Sequence, residues 1–142
     1  MTFSAAEKAA IISIWDNISG NVKIIMLTFD SRLFLSFPQT KTYFNHLDLR
    51  HGSTDLRRHG GKVLGALGEA AKHLDNLEDA LAKISDLHAY NLRVDPGNFE
   101  LLSHCILVVL ASHLPNDFDT TAHAAWDKFI HTVSGVLTSK YR

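Results

Sequence analysis

Apolar positions recur at intervals of three and four along almost the whole chain, the period of helices buried on one face. The opening "SAAE" at 4–7 has the form of a capping box, with Ser4 as the cap and Glu7 reaching back. Ile11, Ile14, Trp15 and Ile18 follow as an apolar stripe. The pattern predicts a second helix over about Val22–Ser36, and Pro38 suits the first turn of a short third one. Phe44–Gly52 has no period and reads as a loop. Ser53 is placed to cap a long helix reaching about Leu74, whose inner stripe is Leu56, His59, Val63, Ala66, Leu67 and Ala70. Asn76–Tyr90 forms another helix. Pro96 opens one that runs to about His113, Pro115 breaks it, and Asp119 caps a last helix ending near Thr138. About seven helices on short loops predict an all-α domain over residues 1–142. Val108 and Val109 favour strand in isolation but sit inside a helical stretch.

The segment "FELLSHCILVVLASH" (99–113) is apolar on nearly every face. Such a helix is either central to the core or packed inward on one side and against another subunit on the other. The pattern leaves both readings open.

Bulk properties narrow the classes. The 142 residues suit one domain. The net charge is −1 with no basic run, which argues against nucleic acid and anionic membrane as partners. Cys105 is the single cysteine, so neither an internal disulfide nor a four-thiolate metal site can form. Met1–Ala10 is polar and helical in character rather than signal-like, and the longest apolar run, Cys105–Ala111, is too short to cross a bilayer. These features suit a soluble protein of a reducing compartment. Nine histidines is a high count, and histidine titrates near neutrality and binds metals.

Two of the histidines fall on apolar stripes. In "SDLHAYNLRVDPGNF" (85–99), His88 lies four after Ile84 and four before Leu92. His59 lies four before Val63 and eight before Leu67. Each is either a core histidine bonded to a backbone carbonyl or a ligand. Zinc fits poorly, because no His-x-x-x-His pair, HExxH or cysteine pair is present. Haem fits better, because its porphyrin already supplies four nitrogens and needs one axial histidine between apolar walls. The segments "KTYFNH" (41–46) and "VDPGNF" (94–99) offer edge and wall residues for such a slot. Catalytic patterns are absent: there is no GxSxG and no Gly-rich phosphate loop, and adjacent His104 and Cys105 point about 100° apart on a helix.

The motifs "LFLSFPQTKTYF" (33–44), "HGGKV" (59–63), "LHAYNLRVDPGNF" (87–99), "LLSHCILVVLASHLP" (101–115), "WDKF" (126–129) and "VLTSKYR" (136–142) resemble the alpha-type chains of vertebrate haemoglobin, in the same order and over the whole length. "LHAYNLRVDP" and "HAAWDKF" are similar to embryonic or alternative alpha-type chains. The resemblance implies the globin fold around haem b and reversible oxygen transport, not enzymatic turnover. It implies His88 as the proximal iron ligand, its second ring nitrogen donating to the Ile84 carbonyl or the Ser85 hydroxyl, and His59 as the distal donor to bound O₂. Phe44 stacks on the ring and Val63 crowds the ligand side. Leu67, Leu87, Leu92, Val94, Phe99, Leu102 and Leu137 line the pocket, with Tyr43, His46, Lys62 and Asn98 at the haem edge. O₂ and CO are the expected ligands. The expected partner is a beta-type globin chain in a heterotetramer, and the expected location the cytoplasm of red blood cells. One contact uses Arg32, His104, Cys105, Phe118 and His123. A second, sliding contact uses Thr42, Tyr43, Arg93, Asp95, Pro96 and Asn98. Tyr141 wedges between helices, and Arg142 pairs with Asp127 of the other alpha-type chain in the low-affinity state. Without the resemblance, "KYR" reads as a frayed tail.

Some positions depart from the family pattern. Asn45 stands where a proline is common, and Met26 where glycine usually permits a close helix crossing. Asp30 stands where an apolar residue faces the distal pocket. A buried unpaired carboxylate is costly, so either the second helix shifts locally and turns Phe29 inward, or Asp30 is protonated or hydrogen-bonded. Asp30 also keeps open a haem-dependent redox enzyme or sensor of the peroxidase or NO dioxygenase type. A haem-free bundle with structural histidines is the further alternative.

Overall fold

The computed structural model describes residues 2–21, 32–44, 53–86 and 97–139. Helix α1 spans Ala5–Ile18. Ser4 accepts from the Glu7 N–H at 3.1 Å and donates its own N–H to Glu7 Oε1 at 2.8 Å, so the capping box is complete. A 3₁₀ turn, Ser19–Asn21, follows. Residues 32–36 are helical (α2), and a second 3₁₀ segment covers Pro38–Phe44. The expected second helix thus ends where its pattern ends, while 22–31 lie outside the described residues. Residues 41–44, expected at the edge of a loop, continue the 3₁₀ segment. Thr40 is buried and its hydroxyl donates to the Phe37 carbonyl at 2.7 Å, which tightens the turn.

Helix α3 spans Thr54–Lys72, two residues short of the expected end. His73 and Asn76 close successive turns by donating to the carbonyls of Ala70 and His73. The predicted helix over 76–90 is divided into α4, Leu77–Ala80, and α5, Ala82–Asp86. Leu81 between them has φ −104° and ψ 7°, outside the helical well, while its side chain is 2% exposed. The reason is tertiary: at the break, Leu81 is carried into the core. Helix α6 spans Gly97–His113, and α7 spans Thr120–Thr138 behind Asp119, which accepts from the Ala122 N–H at 2.9 Å.

Helix α1 packs chiefly on α7 and also on α3, while α6 and α5 pack on α7. The core joins Ile11, Ile14 and Ile18 of α1 to Trp126, Phe129 and Ile130 of α7. Trp126 and Phe129 meet edge to face at 5.1 Å, an arrangement that favours aromatic pairs. The indole N–H of Trp126 has no hydrogen-bond partner among the described residues. Its desolvation costs about 1–3 kcal/mol, which burial of the ring must outweigh. Gly68 lets α3 approach α1 closely: a Cβ there would lie 2.8 Å from Cη2 of Trp15.

Helix α6 answers the question its sequence left open. Phe99, Cys105, Ile106, Val109 and Leu110 are buried, whereas Leu101, Leu107 and Val108 on other faces are half-buried in the isolated chain. It is a one-sided core helix with an outer apolar face. No helix among the described residues is long and apolar enough to cross a membrane.

Candidate functional site

Residues of α3, α5, α6 and α7 line a partly open cavity of about 100 Å³. From α3 come Val63, Ala66 and Leu67, at the three- and four-residue spacing of one helix face. Leu81 and Ile84 line it around α5. Phe99, Leu102 and Ile106 come from α6, and Ile130, Val133, Ser134 and Leu137 from α7. Among the described residues of the wall, Ser134 brings the one hydroxyl and the others are hydrocarbon.

His59 stands one turn before Val63 on the same face of α3. It is half-buried, and its Nδ1 is shut away from solvent. On the other side, Ser85 is 1% exposed, and its hydroxyl donates to the Val136 carbonyl of α7 at 3.1 Å. That bond ties α5 to α7. It also uses the hydroxyl's one proton, so the oxygen lone pairs are what remain to serve a nearby donor.

Of the expected wall, Val63, Leu67, Phe99, Leu102 and Leu137 meet in this cavity. Asn98 is half-buried and Lys62 is exposed. Tyr43 and Phe44 end the second 3₁₀ segment, and their side chains are outside the described set. His46, Leu87, His88, Leu92 and Val94 also lie outside it, as do Met26, Asp30 and Asn45. Leu81, Ile106, Ile130, Val133 and Ser134 were not picked out from the sequence, and Ile84 was named only as a neighbour of His88. Their signal was present, since Ile130, Val133 and Leu137 repeat at helical spacing on α7, but every core stripe carries the same signal.

Among the expected contact residues, Arg32, Thr42, His104, His123 and Asp127 are exposed. Cys105 and Phe118 are covered by the chain itself, at 3% and 8% exposure. Cys105 falls on the inward face of α6, and Phe118 packs edge-on against His123 at 5.4 Å. Burial pushes the Cys105 thiol above its ordinary range, partly opposed by the positive charge of Arg32. Arg93, Asp95, Pro96, Tyr141 and Arg142 lie outside the described residues.

The lining described here suits a largely apolar group. Val63, Ala66, Ile84 and Leu102 line the cavity yet remain half-buried in the chain alone. Covering them would gain about 25 cal/mol per Å² of apolar surface. A bare metal ion has no such match: no group of three or more His, Cys, Asp or Glu among the described residues could hold one.

Comparison with known proteins agrees with this geometry. The globin family model matches residues 28–137. Over 142 residues, covering 100% of both chains, the sequence is 61% identical to "Hemoglobin subunit alpha-5" of Xenopus laevis. It is equally 61% identical to "Hemoglobin larval subunit alpha" of Pleurodeles waltl, again over 100% of both chains. It is 57% identical to "Hemoglobin subunit zeta" of Equus caballus with the same full coverage.

Proposed function

The chain belongs to the globin family, among the alpha-type haemoglobin subunits, and from that premise we propose that residues 1–142 act as one oxygen-carrying domain paired with a beta-type chain in a heterotetramer. Haem b is the cofactor and oxygen transport the function. The single observation that carries this reading is the hydrocarbon-lined cavity between α3, α5, α6 and α7, with His59 one turn away. The protein is a carrier rather than an enzyme, and it works in the cytoplasm of red blood cells.

When bound, haem would supply an iron(II) centre able to take O₂ or CO reversibly. His88 would hold the iron. Its second ring nitrogen would donate to the Ile84 carbonyl or to Ser85, whose oxygen is left to accept by its bond to Val136. His59 would donate to the bound diatomic from the α3 side. Such charge-assisted bonds are worth about 1.5–3 kcal/mol, which favours a polar bound ligand over an uncharged one. Val63, Leu67, Phe99, Leu102 and Leu137 would present hydrocarbon to the group and keep water from it. Phe44, Leu87, Leu92 and Val94 complete the wall, with Tyr43, His46, Lys62 and Asn98 at the haem edge.

Arg32, His104 and His123 belong to the closer contact with the beta-type chain, beside the outer apolar face of α6, whereas Cys105 and Phe118, covered by the chain itself, would support that surface from beneath. Thr42, Tyr43, Arg93, Asp95, Pro96 and Asn98 belong to the sliding contact. Tyr141 wedges between helices in the low-affinity state, where Arg142 meets Asp127 of the other alpha-type chain.

The test is an absorption spectrum of the haem-loaded chain, reduced and then exposed to O₂ and CO, beside a His88→Gly control. A five-coordinate deoxy spectrum that converts reversibly, and is lost in the control, is expected. A six-coordinate or rapidly oxidising spectrum would overturn the carrier reading in favour of redox chemistry.

A further inference from the structure

Helix α3 is built in two unlike halves. From residue 64 onward its inward positions are closed: Leu64, Leu67, Ala70 and Ala71 are buried, and Gly68 lies against Trp15 of α1. Before residue 64, none of the helix's described side chains is buried. His59 and Val63, the inward positions of this half, are half-buried in the chain alone, and Val63 lines the cavity. The first half thus carries its apolar stripe with little of this chain to set it against.

Its backbone is also weakly held. Gly61 and Gly65 are exposed, and a Cβ at either would meet nothing within 4 Å among the described residues. Unlike Gly68, neither glycine is there to make room for a neighbour. Each still weakens the helix about fivefold relative to alanine, because glycine has more backbone freedom to lose. Arg57 and Arg58 act in the same direction. They place two cations near the positive end of the helix, opposed in the first turn by Asp55.

We infer that residues 54–60 form a hinged door over the cavity, with Gly61 and Gly65 as the hinge, through which haem enters and leaves. This rests on the reading above that haem occupies the cavity between α3, α5, α6 and α7. Closed, the door sets His59 and Val63 against the group, and the surface they bury there holds the hinge helical. Open, the hinge leaves helical geometry and frees that side of the cavity. The half from Leu67 onward stays in place, because its buried face and the Trp15 contact at Gly68 anchor it. Haem then passes by a local opening, and the packing of α1 on α7 is kept.

The experiment uses the haem-loaded, CO-bound chain. It compares the wild type with Gly61→Ala, Gly65→Ala, the double variant and Gly135→Ala. Gly135 is the matched control: it is exposed, and a Cβ there also meets nothing within 4 Å, but it lies on α7, which is buried along its length. Native-state amide hydrogen exchange is followed by NMR, and haem loss by transfer to an excess of a haem-free acceptor protein. Exchange at the amides of 57–61 should slow about fivefold in each single variant and about 25-fold in the double, with 67–71 unchanged. Haem loss should slow by the same factors, and Gly135→Ala should change neither quantity. Slowed exchange with unchanged haem loss would overturn the door. So would an equal slowing of haem loss by Gly135→Ala, which would assign release to unfolding of the whole chain. A chain that takes up no haem would overturn the cofactor reading, and the door with it.

Discussion

At the scale of single residues, Gly68 and Cys105 show how an apolar pattern acquires particular demands. The close approach of Trp15 leaves no room for a methyl group at Gly68. Gly68→Ala should destabilise the haem-loaded chain by about 1–3 kcal/mol through overpacking, read from urea unfolding. Trimming the ring in the double variant Gly68→Ala, Trp15→Leu should return part of that loss. Additive losses would contradict the steric account. Cys105 is inward-facing, and its thiol is held above the ordinary range by burial. Alkylation of the folded chain near neutral pH should be much slower than of the denatured chain, since the thiolate is the nucleophile. Equal rates would mean that α6 does not cover it.

At the scale of elements, two ties hold α7 against its neighbours. Lys128 Nζ reaches the Thr2 carbonyl at 2.7 Å and Glu7 Oε1 at 2.9 Å, and stands 5.1 Å from the centre of the Phe3 ring. Glu7 is held below its ordinary value of 4.5, first by the backbone N–H of Ser4 and then by Lys128. A depressed carboxyl stabilises the fold above its unfolded value and loses that contribution as pH falls through the folded one. The gap in urea midpoint between wild type and Glu7→Gln should therefore be widest at neutral pH and close below 4.5. A gap that persists in acid would assign the loss to packing. The second tie is Ser85 to Val136. Ser139 also donates to that carbonyl at 2.7 Å, so Ser85→Ala leaves it partnered. The expected cost is at the low end of about 0.5–1.5 kcal/mol. If the Ser85 hydroxyl rather than the Ile84 carbonyl orients His88, a larger effect should appear in the deoxy absorption band. An unchanged band would deny Ser85 that role.

At the scale of the whole molecule, four helices converge on a cavity whose lining is partly uncovered in the chain alone. A group that binds only the folded form stabilises it by mass action, by about 4 kcal/mol at a thousandfold excess over Kd. Removing haem should lower the midpoint of thermal unfolding followed by helical circular dichroism, and adding it back should restore it. Identical midpoints would favour a bundle whose inward histidines are only structural.

The amino-acid pattern by itself determined the helices, because capping, period and proline are local. Ser4, Asp119 and the end of α6 at His113 follow from residues within a turn or two of each boundary. It also determined much of the candidate wall, since Val63, Leu67, Phe99, Leu102 and Leu137 carry recognisable motifs as well as the helical period. Only the tertiary structure decided where Leu81 interrupts a continuous pattern, because its burial depends on elements far along the chain. The same holds for Gly68, whose necessity is visible only when Trp15 is set against it. It holds again for the groove where the pairs Glu100–His104 and Asp127–His131 meet. Each pair is local on its own helix, but that the two share one groove follows from how α6 packs on α7.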